Sequence, residues 1–317
     1  MNVKKKVYVG IDISKDTFNA HCNGVDVKYS NNRKGWRVLL KNTPPNAIYT
    51  MEATGNYHYQ MAKFLCKNGA LVRIFNPLFV RRYMQSLGNK VKTDKKDARL
   101  IAGYAETKSA QIEFWQPLPL KHARAMVIVS LLSGLSKLER SAGNMKTSAA
   151  LVAGKSDKAL AAMSSVKSIC KEQQKALEKE LYDLVKEIFP EQFRLSKTIP
   201  GIGAKTAATL LVRCKGLEPF ATHKQLTSFI GLDPTIFESG TSIKGNGKIS
   251  KTGNPYLRGL LFMCASSAIQ LNRTPMAKMY KRLTEKGKPK MLALTAVMHR
   301  LVKIAFGVVK SGEPYRG

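Results

Sequence analysis

Val7-Tyr8-Val9-Gly10-Ile11-Asp12-Ile13-Ser14 sets how the rest of the chain is read. Val7, Val9, Ile11 and Ile13 alternate with Tyr8, Gly10 and Asp12, the period-two signature of a strand, so Asp12 projects from the face opposite the apolar residues. A carboxylate in a sheet layer is costly unless it is paired or bound to a cation. Asp12 therefore either caps the following turn or faces a metal ion, and the residues downstream must be weighed to choose.

Two further strand-like runs, Thr17 to Cys22 and Val25 to Ser30, are joined by Asn23-Gly24, the dipeptide best suited to a type I′ hairpin turn. Lys34 to Lys41 can form a short helix, ended by the turn residues Asn42 to Asn46. Ala47 to Met51 is a fourth strand that delivers Glu52 at its end. A helix over Tyr57 to Asn68 carries the stripe Tyr59, Met61, Phe64 and Leu65 and stops at Gly69. Leu71 to Phe75 is a fifth strand, Pro77 opens a helix, and Thr93 is the expected cap of another helix that carries Asp94 and Asp97. Three antiparallel strands followed by helix, strand, helix, strand and helix form the layout of the α/β ribonuclease H-like fold.

In that fold, acids on the first strand, the fourth strand and a late helix converge on divalent metal ions. Asp12, Glu52, Asp94 and Asp97 occupy those three elements, and Asp94 and Asp97 share one helix face. Each has a bland alternative: helix-dipole complementation for Asp94 and Asp97, turn capping for Glu52. Four acids at the three right elements, in a chain poor in acids, favour the metal site.

The 317 residues include 53 Lys and Arg against 21 Asp and Glu, a formal charge of +32. Self-repulsion of that size points to a polyanionic partner, with nucleic acid ahead of an anionic membrane because no uninterrupted apolar run approaches the ~18 residues of a span. Lys4 to Lys6 precede only a short strand broken by Asp12, so no signal peptide is read and a cytoplasmic protein is expected. The five cysteines are odd in number and scattered, which argues against a disulfide framework or a zinc site.

The character of the chain changes after Trp115. Lys121 to Ala150 and Ser156 to Phe189 read as two long helices joined near Gly154. Leu160, Met163, Val166, Ile169, Leu177, Leu181, Leu184 and Ile188 form a seam suited to an antiparallel pair or coiled coil; the polar remainder of the surface favours an exposed spacer or dimerising arm over the alternative, an ordinary bundle helix buried in the main core. Beyond Pro190, Ile199-Pro200-Gly201-Ile202-Gly203 has the form of a helix-hairpin-helix loop, in which Gly201 and Gly203 let backbone amides approach a phosphate and Lys205 adds charge. The alternative is a tight turn between packed helices. After a helix over Phe220 to Ile230, the stretch from Gly231 to Pro255 is rich in glycine, hydroxyls and lysine, a composition that suits either phosphate binding or flexibility. Three helices close the chain. These breaks divide it at 1–112, 113–194 and 195–317.

The motifs Gly10-Ile11-Asp12, Glu52-Ala53-Thr54-Gly55, Lys92-Thr93-Asp94, Asp97-Ala98-Arg99, Ile199-Pro200-Gly201-Ile202-Gly203, Gly231-Leu232-x-Pro234 and Glu238-Ser239-Gly240 resemble, in the same order, those of the DEDD transposases of the insertion-sequence one-ten group, relatives of the Piv-type DNA invertases. The resemblance covers nearly the whole chain. It implies a RuvC-like N-terminal domain, a helical coiled-coil connector and a mainly α C-terminal transposase domain. It also implies Mg2+ held by Asp12, Glu52, Asp94 and Asp97, a nucleophilic Ser239, and Mg2+-dependent strand cleavage and exchange on double-stranded DNA. Some members find their sites with a structured non-coding RNA, so a guide RNA joins DNA as an expected partner. A homo-oligomer, dimer or tetramer, is expected. Lys244, Lys248, Lys251 and Arg258 are placed around backbone phosphates. The competing readings are a RuvC-like nuclease or resolvase whose nucleophile is water, and a basic nucleic-acid-binding scaffold without catalysis.

Overall fold

The computed structural model describes residues 6–53, 55–88, 94–108, 113–154, 158–235, 238–239, 243–244, 248–271 and 274–317; at a few of these, Asp94 and Ser239 included, only the backbone is described. The expected cap Thr93 lies outside them. The chain forms two compact units that divide between Leu118 and Pro119.

The first unit is a mixed α/β layer structure. Strands β1 (Tyr8–Ile13), β2 (Thr17–Cys22), β3 (Val25–Ser30), β4 (Ile48–Glu52) and β5 (Leu71–Phe75) form one sheet in the order β3-β2-β1-β4-β5. The first three strands pair antiparallel, whereas β4 joins β1 and β5 joins β4 in parallel. Asn23 and Gly24 both take positive φ, 47° and 84°, as the predicted I′ turn requires.

Alternation along the strands gives the sheet two buried faces. On one, Val9, Ile11, Phe18, Tyr49, Met51 and Val72 pack with Trp36 and Leu39 of α1 (Arg33–Lys41) and with Met61 and Leu65 of α2 (Tyr57–Lys67). On the other, Phe75 packs with Val80 of α3 (Pro77–Ser86) and with Ile101, Tyr104 and Ala105 of α4 (Asp94–Thr107). Each Val, Leu, Ile, Phe and Met among them, once enclosed, contributes about 1.5–3 kcal/mol. Residues 113–118 stay with this unit. Trp115 N–H donates to the Val72 carbonyl at 2.7 Å, and its ring meets Tyr59 edge-on at 5.7 Å, along the outer strand β5.

The second unit is helical. Helices α5 (Leu120–Ala153) and α6 (Ala159–Ile188) form an antiparallel hairpin, since Arg124 pairs with Glu180 and, further along α5, Glu139 accepts from Gln174. The seam on α6 differs from the expected one. Val166 and Ile169 are exposed, whereas Cys170, Gln174, Leu181 and Val185 are buried. The three-and-four spacing of 170, 174, 177 and 181 holds one face toward α5, and polar Gln174 belongs to it because Glu139 supplies its partner.

Helices α7 (Pro190–Ser196), α8 (Ala204–Arg213), α9 (His223–Ile230), α10 (Pro255–Gln270), α11 (Pro275–Glu285) and α12 (Lys290–Ser311) complete the unit. Ile128, Leu132, Leu181 and Val185 of the hairpin share one core with Leu210, Leu226, Leu261, Val297 and Leu301. Among the described residues α12 is the one helix long and apolar enough to cross a membrane by length and composition. Its Val297, Met298, Leu301, Val302 and Ala305 lie in that core, which accounts for the apolar character.

The stretch after α9, expected to be a loop, contains two short antiparallel ladders: Pro234 opposite Ile249 and Thr235 opposite Lys248, then Glu238 opposite Lys244 and Ser239 opposite Ile243. It forms a β arm between α9 and α10. Among the cysteines, Cys170, Cys214 and Cys264 are buried, and burial pushes the Cys214 thiol up to about 12.

Candidate active site and nucleic-acid interface

The acids of the first unit are positioned by register. Gly10 lies opposite Thr50 and Ile11 opposite Met51, so the next residues along these parallel strands, Asp12 and Glu52, are neighbours. They also share a face, because each is two residues from a member of the Gly10–Thr50 pair. Asp12, Glu52 and Asp97 are all half-buried.

Helix α4 covers the same face, and Gly10 governs how closely. A Cβ on Gly10 would stand 2.0 Å from the Ala98 carbonyl oxygen, 2.6 Å from the Ala102 nitrogen and 2.9 Å from the Ala102 Cβ. Only glycine admits this approach. It sets Ala98, and with it the adjacent Asp97, against β1 two residues before Asp12.

A second tie fixes α4 to the same face of the sheet, toward its β3 edge. Asp26, His21 and Gly10 form one row across β3, β2 and β1. Asp26 accepts from His21 Nδ1 at 2.6 Å and from Arg99 Nε at 2.8 Å, and Arg99 Nη2 also reaches it. The Arg99 hydrogen bond, helped by His21 and the charge of Arg99, holds the Asp26 carboxyl down to about 2 against a smaller opposing effect of burial. The sequence reading missed this clamp. Its signal was Asp26 alternating with Val25 and Val27 in a strand.

Thr50 continues the row to Arg73. The Arg73 side chain is buried, 5% exposed, and its guanidinium carbon lies 4.7 Å from the centre of the Phe114 ring. This places a cation in the acid-bearing layer. Among the described residues no group of three or more His, Cys, Asp and Glu is arranged to hold a metal ion. Asp94 is the first residue of α4, one turn before Asp97, and its side chain lies outside the described residues. The donor chemistry of Asp12 and Glu52, adjacent hard oxygens on one face, nevertheless suits a divalent cation.

In the second unit the residues expected at nucleic acid separate into two groups. Gly201, at φ 89°, is pressed against α10, where a Cβ would come within 2.6 Å of the Cys264 carbonyl oxygen, so its backbone freedom serves helix packing. Gly203 is the exposed N-cap of α8, with nothing within 4 Å of the Cβ position. Lys205 faces inward and pairs with Glu178 of α6 at 2.7 Å. Burial alone would lower its ammonium, but the hydrogen bond to Glu178 and the nearby Tyr256 outweigh it and hold the group above the usual lysine value.

Arg258 roots the β arm. Its Nη1 donates to the carbonyls of Gly253 at 2.7 Å and Ile230 at 3.1 Å. Gly231 and Gly253 let the two ends of the arm meet backbone to backbone: a Cβ on Gly253 would lie 2.2 Å from the Phe229 carbonyl oxygen. Asp233 adds a bond from Ser250 Oγ at 2.6 Å. Beyond this root, Lys248 and Lys251 are exposed, and Ser239 lies on the outer ladder. The side chains of Ser239 and Lys244 lie outside the described residues.

Comparison with known proteins accounts for both units. Residues 9–126 match the DEDD transposase family of the IS110 type, and residues 194–281 match the family described as Transposase IS116/IS110/IS902. The chain is 31% identical over 328 residues to the pilin gene-inverting protein of Moraxella bovis, covering 98% of each chain. The pilin gene-inverting protein of Moraxella lacunata is 31% identical over 327 residues, again 98% of each. The transposase for insertion sequence element IS1328 of Yersinia enterocolitica is 24% identical over 289 residues, 83% of this chain and 84% of that protein. The DEDD family implies use of a divalent metal ion, and DNA is its partner. The chain belongs to the IS110 family of transposases, and it is an enzyme that cleaves and recombines DNA.

Proposed function

We propose that this chain is the site-specific recombinase of an insertion sequence, cutting and exchanging strands of double-stranded DNA through Ser239 with Mg2+ held by Asp12, Glu52, Asp94 and Asp97. The observation that carries the reading is the register that sets Asp12 beside Glu52 on the face to which Gly10 admits α4. The strand order, three antiparallel strands extended by two parallel ones, supports a ribonuclease H-like, RuvC-like catalytic part over 1–112. Residues 113–194 then serve as connector and 195–317 as the transposase part, with a helix-hairpin-helix at α7 and α8. A homo-oligomer in the cytoplasm, guided by a structured non-coding RNA, completes the proposal; such an RNA would neutralise part of the +32 charge.

Bound magnesium would supply positive charge at the scissile phosphate and at the leaving oxygen. The protein's own residues do the positioning. Gly10 and the Arg99–Asp26–His21 clamp hold α4 and its carboxylates in place, and Gly203, Lys244, Lys248 and Lys251 hold backbone phosphates. Ser239 Oγ forms a bond to phosphorus as the bond to the leaving deoxyribose oxygen breaks, and the serine proton leaves with that oxygen. The phosphodiester energy is conserved in a phosphoserine link, which a hydroxyl of the exchanging strand then displaces.

Denaturing a reaction midway tests this directly. A covalent protein–DNA adduct should form with magnesium, vanish in Ser239→Ala, and persist in Thr241→Ala, Ser242→Ala and Ser250→Ala. Strand breakage without any adduct in the wild-type protein would transfer the nucleophile's role to water.

A further inference from the structure

A groove between α11 and α12 is lined by Pro275, Lys278, Met279, Arg282 and Arg300. Lys278 and Arg282 stand one turn apart on α11 and so face the same side, while Arg300 comes from α12. All three are exposed, and among the described residues no carboxylate lines the groove and none of the three forms an ion pair. Residues 274–303 include eight Lys and Arg and a single acid, Glu285, which lies 3.8 Å from Lys281. Three cations around one concavity with no counter-charge repel each other, a cost that an anion filling the groove removes.

The groove is also firmly built. Met276 and Ala277 anchor the start of α11 in the core, and Thr274 Oγ1 caps it by accepting from the Ala277 N–H at 3.1 Å. Pro275 and Met279 add apolar surface beside the cations. Such a surface, open and with cations on both walls, suits a sugar–phosphate backbone better than a small enclosed anion.

We propose that this groove holds the backbone of duplex DNA, as a contact additional to the β arm. It uses only the family's established substrate, so failure of the Ser239 mechanism would leave it standing. Backbone contacts of this kind position the protein without reading sequence. Each lost phosphate contact lowers the slope of log affinity against log salt by about 0.9.

The test compares two variants of the full-length protein that lose the same charge: Lys278→Ala/Arg282→Ala/Arg300→Ala, and Lys171→Ala/Lys175→Ala/Lys179→Ala on the exposed side of α6. Salt titrations on duplexes of unrelated sequence should show the groove variant's slope reduced by about 2.7, with the α6 variant near wild type. Should the triple groove variant unfold, Arg282→Gln alone is measured, with an expected reduction of about 0.9. Equal losses in the two triple variants would reduce the effect to net charge. Loss confined to single-stranded or structured RNA, with duplex DNA unaffected, would also overturn the assignment.

Discussion

Gly10→Ala is the sharpest perturbation of the acid-bearing layer because it adds one methyl group where helix backbone already stands close. Ordinary contact begins near 3.4 Å, so the Ala98 carbonyl, now 2.0 Å from the Cβ position, must retreat by 1.4 Å. The obstacle is helix backbone, which cannot rotate away as a side chain can. Overpacking of this kind costs ~1–3 kcal/mol, which for a unit of this size is a fall of roughly 4–15 °C in Tm. The larger effect falls on chemistry: a misplacement of about 1 Å can cost about 100-fold in rate, and here the displaced helix carries Asp97. Differential scanning calorimetry and a plasmid recombination assay read the two effects. Gly134→Ala, in α5 with nothing within 4 Å of its Cβ position, is the control and should gain ~0.5–1 kcal/mol. A Gly10→Ala protein with wild-type Tm and wild-type recombination would refute the claim that this glycine sets the height of α4 over the acids.

Asp12→Asn, Glu52→Gln, Asp94→Asn and Asp97→Asn should each abolish recombination while leaving circular dichroism and DNA binding intact; full activity in any two would remove the metal-site assignment. The Asp26 carboxyl, held down to about 2 by Arg99, contributes stability that is complete above its ordinary value of 3.8 and is lost as pH falls through the folded value. Denaturant titrations from pH 4 to 2 should therefore be flatter for Asp26→Asn, and parallel curves would deny the clamp a role. Lys205→Ala should cost about 1 kcal/mol through the lost Glu178 pair and leave the DNA salt slope unchanged. A reduced slope with unchanged Tm would return Lys205 to phosphate binding.

What could be read from the sequence depended on how local its cause was. The five strands and the hairpin turn followed from alternation and Asn23-Gly24, which act within a few residues, and the acids came with those elements. The role of Gly10 did not follow, since a strand glycine has several uses and only the arrival of Ala98, far along the chain, selects one. The α6 seam was misread at Val166 and Ile169 because apolarity outweighed spacing, and Gln174 was passed over as polar. The β arm was hidden because each of its ladders is two residue pairs long, too short for a periodic signal. Arg258 resembled any exposed cation. Its bonds to the carbonyls of Ile230 and Gly253 exist only once α9 and α10 are brought together.

The segment along β5 matters for any attempt to dissect the protein. A strand at the end of a sheet is a template for pairing with another chain, and natural sheets cover or interrupt such edges. Here Trp115 donates to Val72 while Phe114 stacks on the guanidinium of Arg73. A fragment ended at residue 112 would keep all five strands of the sheet and the four carboxylates proposed to hold the metal ion. It would nonetheless bare the β5 edge and strip Arg73 of its aromatic cover, inviting the self-association that residues 113–118 prevent.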